Sequence, residues 1–275
     1  LLGPAGAGKT ALLRVLLGLD ARARGEVTVL GLDPGRDPLG VRRAAGYVPE
    51  RPALYASMTA FTLGRFVADL YPTWDARRYV DHLARLGVPP RVRAADLPPA
   101  EAARLALAVA LGHGPRLLVV DVPHDLDALG RHQLLLGLED EAAADPGLTV
   151  LLATSRPLEA ERLAGHVVVL AAGEVRHAGP LPALRARHRR LEVGRAEHPP
   201  LPDGARVRRW RPGTARRPGE LLVEVDHDDA AAGLAALPGV SAVLPATLDD
   251  VFLALVCSTA AGDEAGRGGA RAGSK

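Results

Sequence analysis

The sequence predicts an α/β fold: a parallel central sheet, a helical subdomain inserted into it, and a small C-terminal α+β module. Three observations carry this. Apolar runs bounded by turn residues alternate with helical periodicity from Leu1 to about residue 180. Prolines at 72, 89–90 and 98–99 break the periodicity of residues 57–112 into a separate helical block. Short strand and helix patterns resume beyond residue 219, after a segment crowded with arginine, proline and glycine.

In chain order, Leu1-Leu2 reads as the stub of a buried strand. Residues 3–8 are too rich in glycine for regular structure, and Ala11 to Leu19 reads as a helix apolar all round, hence buried. Glu26 to Leu30 alternates like a strand, 31–37 is turn-rich, and Ala45 to Pro49 is a short strand stopped by its proline. After the helical block, Leu117 to Val120 is an apolar run of the kind found in central parallel strands. A helix at 127–144, a strand at 149–153, a helix at 158–163 and a strand at 166–170 follow. The pattern sets domains at 1–180 (helical subdomain about 51–114), an Arg/Pro-rich linker at 181–219, and a module at 220–257. That module reads as strand 220–225, helix 229–237, strand 240–244 and a last helix through Val256, capped by Thr247 with Asp250 three residues on. Residues 258–275 read as a disordered tail.

Composition narrows the function. With 48% hydrophobic and 24% charged residues in 275, the chain is globular. A net charge of +2 and 3% aromatics give no electrostatic footprint and no stacking platform, so no nucleic-acid partner is expected. No apolar run reaches membrane-spanning length. The single cysteine, Cys257, excludes an internal disulfide framework and fits a reducing compartment. Met58 is the only methionine, so the natural start is expected upstream of Leu1. Of 34 basic residues only Lys9 and Lys275 are lysines, which marks Lys9 as a position where arginine fails.

Gly3-Pro4-Ala5-Gly6-Ala7-Gly8-Lys9-Thr10 matches G-x-x-x-x-G-K-[ST]. Glycines let the backbone turn its N–H groups toward phosphate oxygens, and the following helix adds its positive end. The Lys9 ammonium can reach the outer phosphates, and the Thr10 hydroxyl can ligate Mg²⁺. Alone the pattern is also that of a Gly-rich turn; a strand stub before it, a helix after it and the rare lysine favour a phosphate site. Asp121, ending the apolar run 117–120, is the second Mg²⁺ candidate. ATP and Mg²⁺ are the expected cofactors.

With these residues the chain resembles the ATP-binding subunits of ABC transporters, strongly over 1–180 and more weakly beyond. The resemblance implies a P-loop NTPase fold. It places Glu50, in Gly46-Tyr47-Val48-Pro49-Glu50, at the Q-loop, where Glu stands for the usual Gln, and makes it a catalytic and metal-site residue beside Asp121. Residues 51–55 and Tyr71-Pro72-Thr73-Trp74-Asp75 resemble the helical subdomain of exporters with a separate permease. Leu248-Asp249-Asp250-Val251-Phe252-Leu253-Ala254-Leu255 resembles the ending of drug and antibiotic exporter subunits. The implied partners are a membrane permease and a second ATP-binding subunit, as homodimer or heterodimer. The implied location is the cytoplasmic face of the cell membrane. The family stacks adenine on an aromatic residue upstream of the phosphate loop, so weak nucleotide binding is expected of the chain as it stands.

The sequence departs from the family where the chemistry is done. The Leu-Ser-Gly-Gly-Gln signature reads Leu97-Pro98-Pro99-Ala100-Glu101; its prolines have no N–H to offer a phosphate, and Glu101 adds negative charge. The position of the glutamate that polarises water is Val122, and that of the switch histidine is Ser155. His124 is the best replacement base, although its loop setting favours an ordinary surface histidine. ATP binding with slow or absent hydrolysis follows, with a catalytically inactive regulatory or structural partner in a transporter complex as the alternative. A soluble P-loop kinase is disfavoured, since no substrate-binding insertion with acid–base residues is present.

Overall fold

The computed structural model describes residues 1–22, 24–194, 199–214, 217–226 and 228–265. Its contacts divide into two units, Gly8–Thr154 and Leu1–Ala7 with Ser155–Lys275.

The Gly8–Thr154 unit begins with helix α1 (Lys9–Leu16). The expectation of a wholly buried helix is corrected: Lys9, Leu13 and Leu17, spaced four apart, form its buried face, while Ala11 and Arg14 are exposed. The strand expected at 26–30 is replaced by a tight turn. Val29 and Leu32 exchange backbone hydrogen bonds of 2.8 and 2.9 Å around Leu30 and Gly31, both at positive φ. Helix α2 (Pro38–Ala44), absent from the sequence reading, starts on a proline with Asp37 accepting from the Gly40 amide.

Strand β1 (Ala45–Val48) leads into helices α3 (Ala60–Ala68), α4 (Ala76–Arg85) and α5 (Pro99–Leu111). Thr59 and Thr62 cap α3 reciprocally, and Asp75 caps α4 through the Arg77 and Arg78 amides. The Tyr71–Asp75 segment braces the end of α5: Tyr71 stacks on buried His113 at 4.3 Å, and Thr73 donates to the His113 carbonyl. Trp74 lies so close to Gly112 that a Cβ there would stand 2.5 Å from the indole.

Strand β2 (Leu117–Asp121) follows, buried along its whole length, then α6 (Ala128–Ala144) and β3 (Thr149–Ala153). The three strands form a parallel sheet in the order β1-β2-β3, with Val48 opposite Val120 and Asp121 opposite Ala153. The apolar run thus occupies the middle strand, as read from the sequence. Between α4 and α6, buried Glu141 is 2.9 Å from His82 Nδ1 and 3.0 Å from the Arg85 guanidinium.

In the other unit, Leu2 is the buried strand stub expected: its N–H donates to Val168 and its carbonyl accepts from Leu170, both at 2.8 Å. Helix α7 (Pro157–Leu163) precedes an antiparallel pair, β4 (His166–Ala171) and β5 (Glu174–Pro180). The segment 181–219, expected as a linker, holds α8 (Leu181–Ala186), β6 (His188–Val193) and β7 (Ala205–Arg211). β8 (Gly219–Val225), helix α9 (Asp228–Gly233), β9 (Val240–Pro245) and α10 (Leu248–Ala265) follow, and the four strands form an antiparallel sheet of order β7-β8-β6-β9.

Period-two alternation explains the correction. Buried Leu191 and Val193, two residues apart, mark the inner face of β6, and on β7 the Arg206, Arg208 and Arg211 guanidinia pair with Asp226, Glu224 and Glu220. The single helix expected at 229–237 is split, with a 3-10 turn at Leu234–Ala236 closing it. Thr247 and Asp250 cap α10 reciprocally, as expected. α10 runs on to Ala265, into the segment read as a tail; residues 266–275 lie outside the described residues. The C-terminal residues form one core of their own, around Leu191, Val193, Leu221 and Val223, and Leu222, Leu248 and Val251 share a second with Leu2, Val167 and Val169.

Candidate functional site

The loop 3–10 passes from one unit to the other between Ala7 and Gly8. In the first, Gly3 sits so close to the Leu170 carbonyl that a Cβ would be 2.4 Å from its oxygen, and the Ala7 carbonyl accepts from the Gly173 amide. Gly6 and Gly8 have φ of 75° and 98°, the left-handed region where side chains are strained. These positions demand glycine for backbone reasons, as the sequence pattern implied; Pro4 and Ala5 complete the turn, with the Ala7 amide donating to the Pro4 carbonyl.

In the Gly8–Thr154 unit, α1 and the end of β2 bring Lys9, Thr10 and Asp121 together. The Thr10 hydroxyl donates to Asp121 Oδ2 at 2.6 Å. Lys9 and Asp121 are 6% and 2% exposed, so both charges sit almost out of water. Burial lowers the Lys9 pKa, opposed by the charges of Asp121 and Glu50. Burial raises that of Asp121, opposed by the Thr10 hydrogen bond and reinforced by the Glu50 charge. A buried carboxylate and hydroxyl side by side are hard oxygen donors of the kind Mg²⁺ takes, and the adjoining ammonium suits phosphate, so the residues present fit Mg-nucleotide. Glu50, just past β1, is part-exposed, with its Oε1 3.8 Å from His124 Nε2. Half-buried Tyr47 of β1 feels the same carboxylates, and burial raises its pKa first of all.

The departures from the expected machinery fall as follows. Val122 is 0% exposed and its amide donates to the Ala153 carbonyl at 3.1 Å, which makes it a core residue. Pro98 stands at the start of α5 with no side-chain cap; Pro99 opens the helix, and the Ala102 amide donates to the Pro98 carbonyl. Ala100 packs against Gly130 of α6. Ser155 belongs to the other unit. One residue the sequence reading missed is Arg131, 5% exposed, which donates to the Pro123 carbonyl at 2.6 Å and so fixes the loop after β2. Its signal was present: an arginine one helical turn after the cap Asp127, whose carboxylate accepts from the Gly130 amide.

Among the described residues no cluster of three metal-ligating side chains of the His/Cys/Asp/Glu type occurs, and no helix is long and apolar enough to cross a membrane.

The known proteins this chain is similar to are ATP-binding proteins of ABC transporters. The family model described as ABC transporter matches residues 1–125. The chain is 35% identical over 195 residues to the molybdenum import ATP-binding protein ModC of Aromatoleum aromaticum, covering 68% of this chain and 52% of that protein. It is 37% identical over 182 residues to the Nod factor export ATP-binding protein I of Rhizobium meliloti, covering 63% and 53%. The chain therefore spans about half the length of the curated relatives it matches. Among solved structures, an ATP-binding subunit of an ABC transporter superposes with a TM-score of 0.59 at 28% identity, over 67% of this chain and 79% of that one. A dimeric ATP-binding cassette in a post-hydrolysis state with ADP and Pi superposes at 0.58 with 22% identity, over 66% and 83%, a likeness of fold.

Proposed function

The chain carries an ABC transporter ATP-binding domain of the P-loop NTPase fold, and on that premise we propose that it is the ATP-binding subunit of an exporter whose permease is a separate membrane chain. In this reading Gly3, Pro4, Ala5, Gly6, Ala7, Gly8, Lys9 and Thr10 hold the phosphates. Thr10 and Asp121 hold Mg²⁺, with Glu50 beside them. The Thr10–Asp121 hydrogen bond, with Lys9 buried next to it, is the observation that carries the binding half. Bound Mg²⁺ would neutralise phosphate charge; the chain's own part is to fix the donors and exclude water around them.

Val122 carries the other half of the reading. An apolar, fully buried side chain offers a water nothing to donate its proton to, and loss of a general base typically costs about 10²–10⁴-fold in rate. Pro98 and Pro99 remove two amide donors from the start of α5. ABC subunits pair head to tail, each nucleotide lying between one chain's phosphate loop and the other's signature. A homodimer then lacks base, switch histidine and signature at both sites. A heterodimer with an intact partner lacks the base at one and the signature donors at the other. Hydrolysis by this chain is therefore weak. The same substitutions favour, as second reading, a nucleotide-binding regulatory partner with no turnover of its own.

Export as the direction of transport is supported by the Tyr71–Asp75 and Leu248–Leu255 segments, while the relatives include both an importer and an exporter. Tyr55 and Phe66, packed edge to face at 5.0 Å and both exposed, offer apolar surface to a protein partner. That partner would hold the chain at the inner face of the membrane. The experiment is co-expression with the permease: the two chains co-purify, and inverted vesicles show nucleotide-dependent accumulation that Lys9→Ala removes. A chain that never associates with a membrane protein contradicts the subunit reading.

A further inference from the structure

The helical region contains a cavity unrelated to phosphate chemistry. A cleft of about 460 Å³ opens between α3, α4 and the loop 88–91. That size is within the range of small-molecule sites. Its floor is Leu83 and Val88, 2% and 4% exposed, and its walls are Phe61, Val80, Ala84 and Pro90. Phe61 is 51% and Val80 50% exposed, so two large apolar side chains flank the mouth with no covering group among the described residues.

The walls of the cleft are fastened to one another and to their surroundings by hydrogen bonds. The Phe61 amide donates to the Pro90 carbonyl at 3.0 Å, the Tyr79 hydroxyl donates to the Ala60 carbonyl at 2.6 Å, and the Ala94 amide donates to the Met58 carbonyl at 2.8 Å. These fasten α3 to both α4 and the far loop, so a ligand meets a preformed wall. Only two lining residues are polar. The Thr59 hydroxyl is engaged with Thr62 in the cap of α3. Arg91 is exposed at the rim, and no carboxylate lies within ion-pair distance of it among the described residues.

An apolar trough with one unmatched guanidinium at its edge selects for an occupant with an apolar tail and one anionic end. We propose that this cleft binds a free single-chain fatty carboxylate, with the alkyl chain over Leu83 and Val88 and the carboxylate on Arg91. A cationic amphiphile meets like charge at the rim, and a neutral one leaves the guanidinium unused. A volume of about 460 Å³ suits one alkyl chain better than the paired chains of a phospholipid. The inference stands on α3, α4 and the loop 88–91 and is independent of the nucleotide reading.

The test uses the purified chain with anilinonaphthalene sulfonate as a fluorescent anionic occupant. Dodecanoate, below its micellar concentration, displaces the probe, and dodecyltrimethylammonium does so at least about tenfold less well, the size expected of one charge-assisted hydrogen bond. Decanoate is weaker than dodecanoate by about fourfold per methylene lost. Arg91→Glu removes the preference for the anion. Ala84→Phe, which fills the trough from an exposed helix position, removes probe binding at unchanged circular dichroism. Equal displacement by both headgroups, or an Arg91→Glu protein that keeps the preference, overturns the proposal, and neither result needs the Ala84→Phe protein to fold. Phosphatidylglycerol vesicles are expected to leave the probe in place; displacement by them as effective as by dodecanoate identifies a membrane surface and equally overturns it.

Discussion

Asp121 and Val122 are neighbours in the chain, yet one belongs to a charged site and the other to the core. Asp121 ends β2 with its carboxylate on the Thr10 hydroxyl; Val122 closes the next backbone bond to Ala153 and has no exposed surface. The same contrast divides the whole Gly8–Thr154 unit. Gripping a nucleotide requires an ammonium, a hydroxyl and a carboxylate fixed by helix and strand ends, and all three are in place. In the proposed reading, cleaving it requires a proton acceptor at 122 and amide donors at 98–99, where an aliphatic side chain and two prolines stand. The fold tolerates the second set of changes because packing, not charge, decides stability there: a buried valine is a better core residue than a buried carboxylate.

The largest effect expected is a gain. Val122→Glu combined with Pro98→Ser and Pro99→Gly raises phosphate release by about 10²-fold or more, with each part alone giving less. If the combined protein binds nucleotide and stays at background, the missing groups at these positions are not what limits the reaction.

Next in size is a pH effect that separates core from site. Burial pushes the His113 pKa down to about 4 from 6.5. The unfolded chain takes up this proton near its ordinary pKa and the folded chain does not, so stability is full above about pH 6.5 and falls as pH drops toward 4. The loss is about 3 kcal/mol, and a His113→Phe protein lacks it. Urea titrations at pH 7 and 4.5 measure both. Asp121 has the opposite sign: its raised pKa means the folded protein holds the proton longer, so its contribution is present at low pH and lost as pH rises through the folded value. Asp121→Asn therefore raises the melting temperature of the nucleotide-free protein at neutral pH while abolishing Mg²⁺-dependent binding, which sharpens the division between grip and stability.

Lys9→Ala removes one charge-assisted contact and weakens MgATP binding by about 10–100-fold at unchanged circular dichroism, read by titration with a fluorescent nucleotide. The smallest effect is structural. Asp127→Ala deletes the α6 cap and costs about 1 kcal/mol in a urea titration.

How much of this was legible in the sequence follows from how local each signal is. The phosphate loop is contiguous, and its glycines answer to backbone demands at Gly3, Gly6 and Gly8 that no other residue meets, so it could be read directly. β2 was legible because a strand buried on both faces is apolar throughout, and the caps Asp127 and Thr247–Asp250 because they act over three residues. β6 and β7 were not. Their alternation is carried by arginines facing solvent or cross-strand carboxylates, so composition suggested a linker where the period suggested strands. The Val29–Leu32 turn was hidden because Leu30 adopts a positive φ that its side chain disfavours. At the site, the partnership of Arg131 with the Pro123 carbonyl depends on how α6 packs, and residue identity alone carries only a hint of it.

In the proposed function this domain holds nucleotide and hardly turns it over. Occupancy and phosphate release measured in one sample of the chain, at saturating MgATP and beside the Lys9→Ala protein, test it most directly. Saturable occupancy with release no faster than the Lys9→Ala background is the result predicted. Release at ordinary transporter rates, abolished by Lys9→Ala, contradicts it.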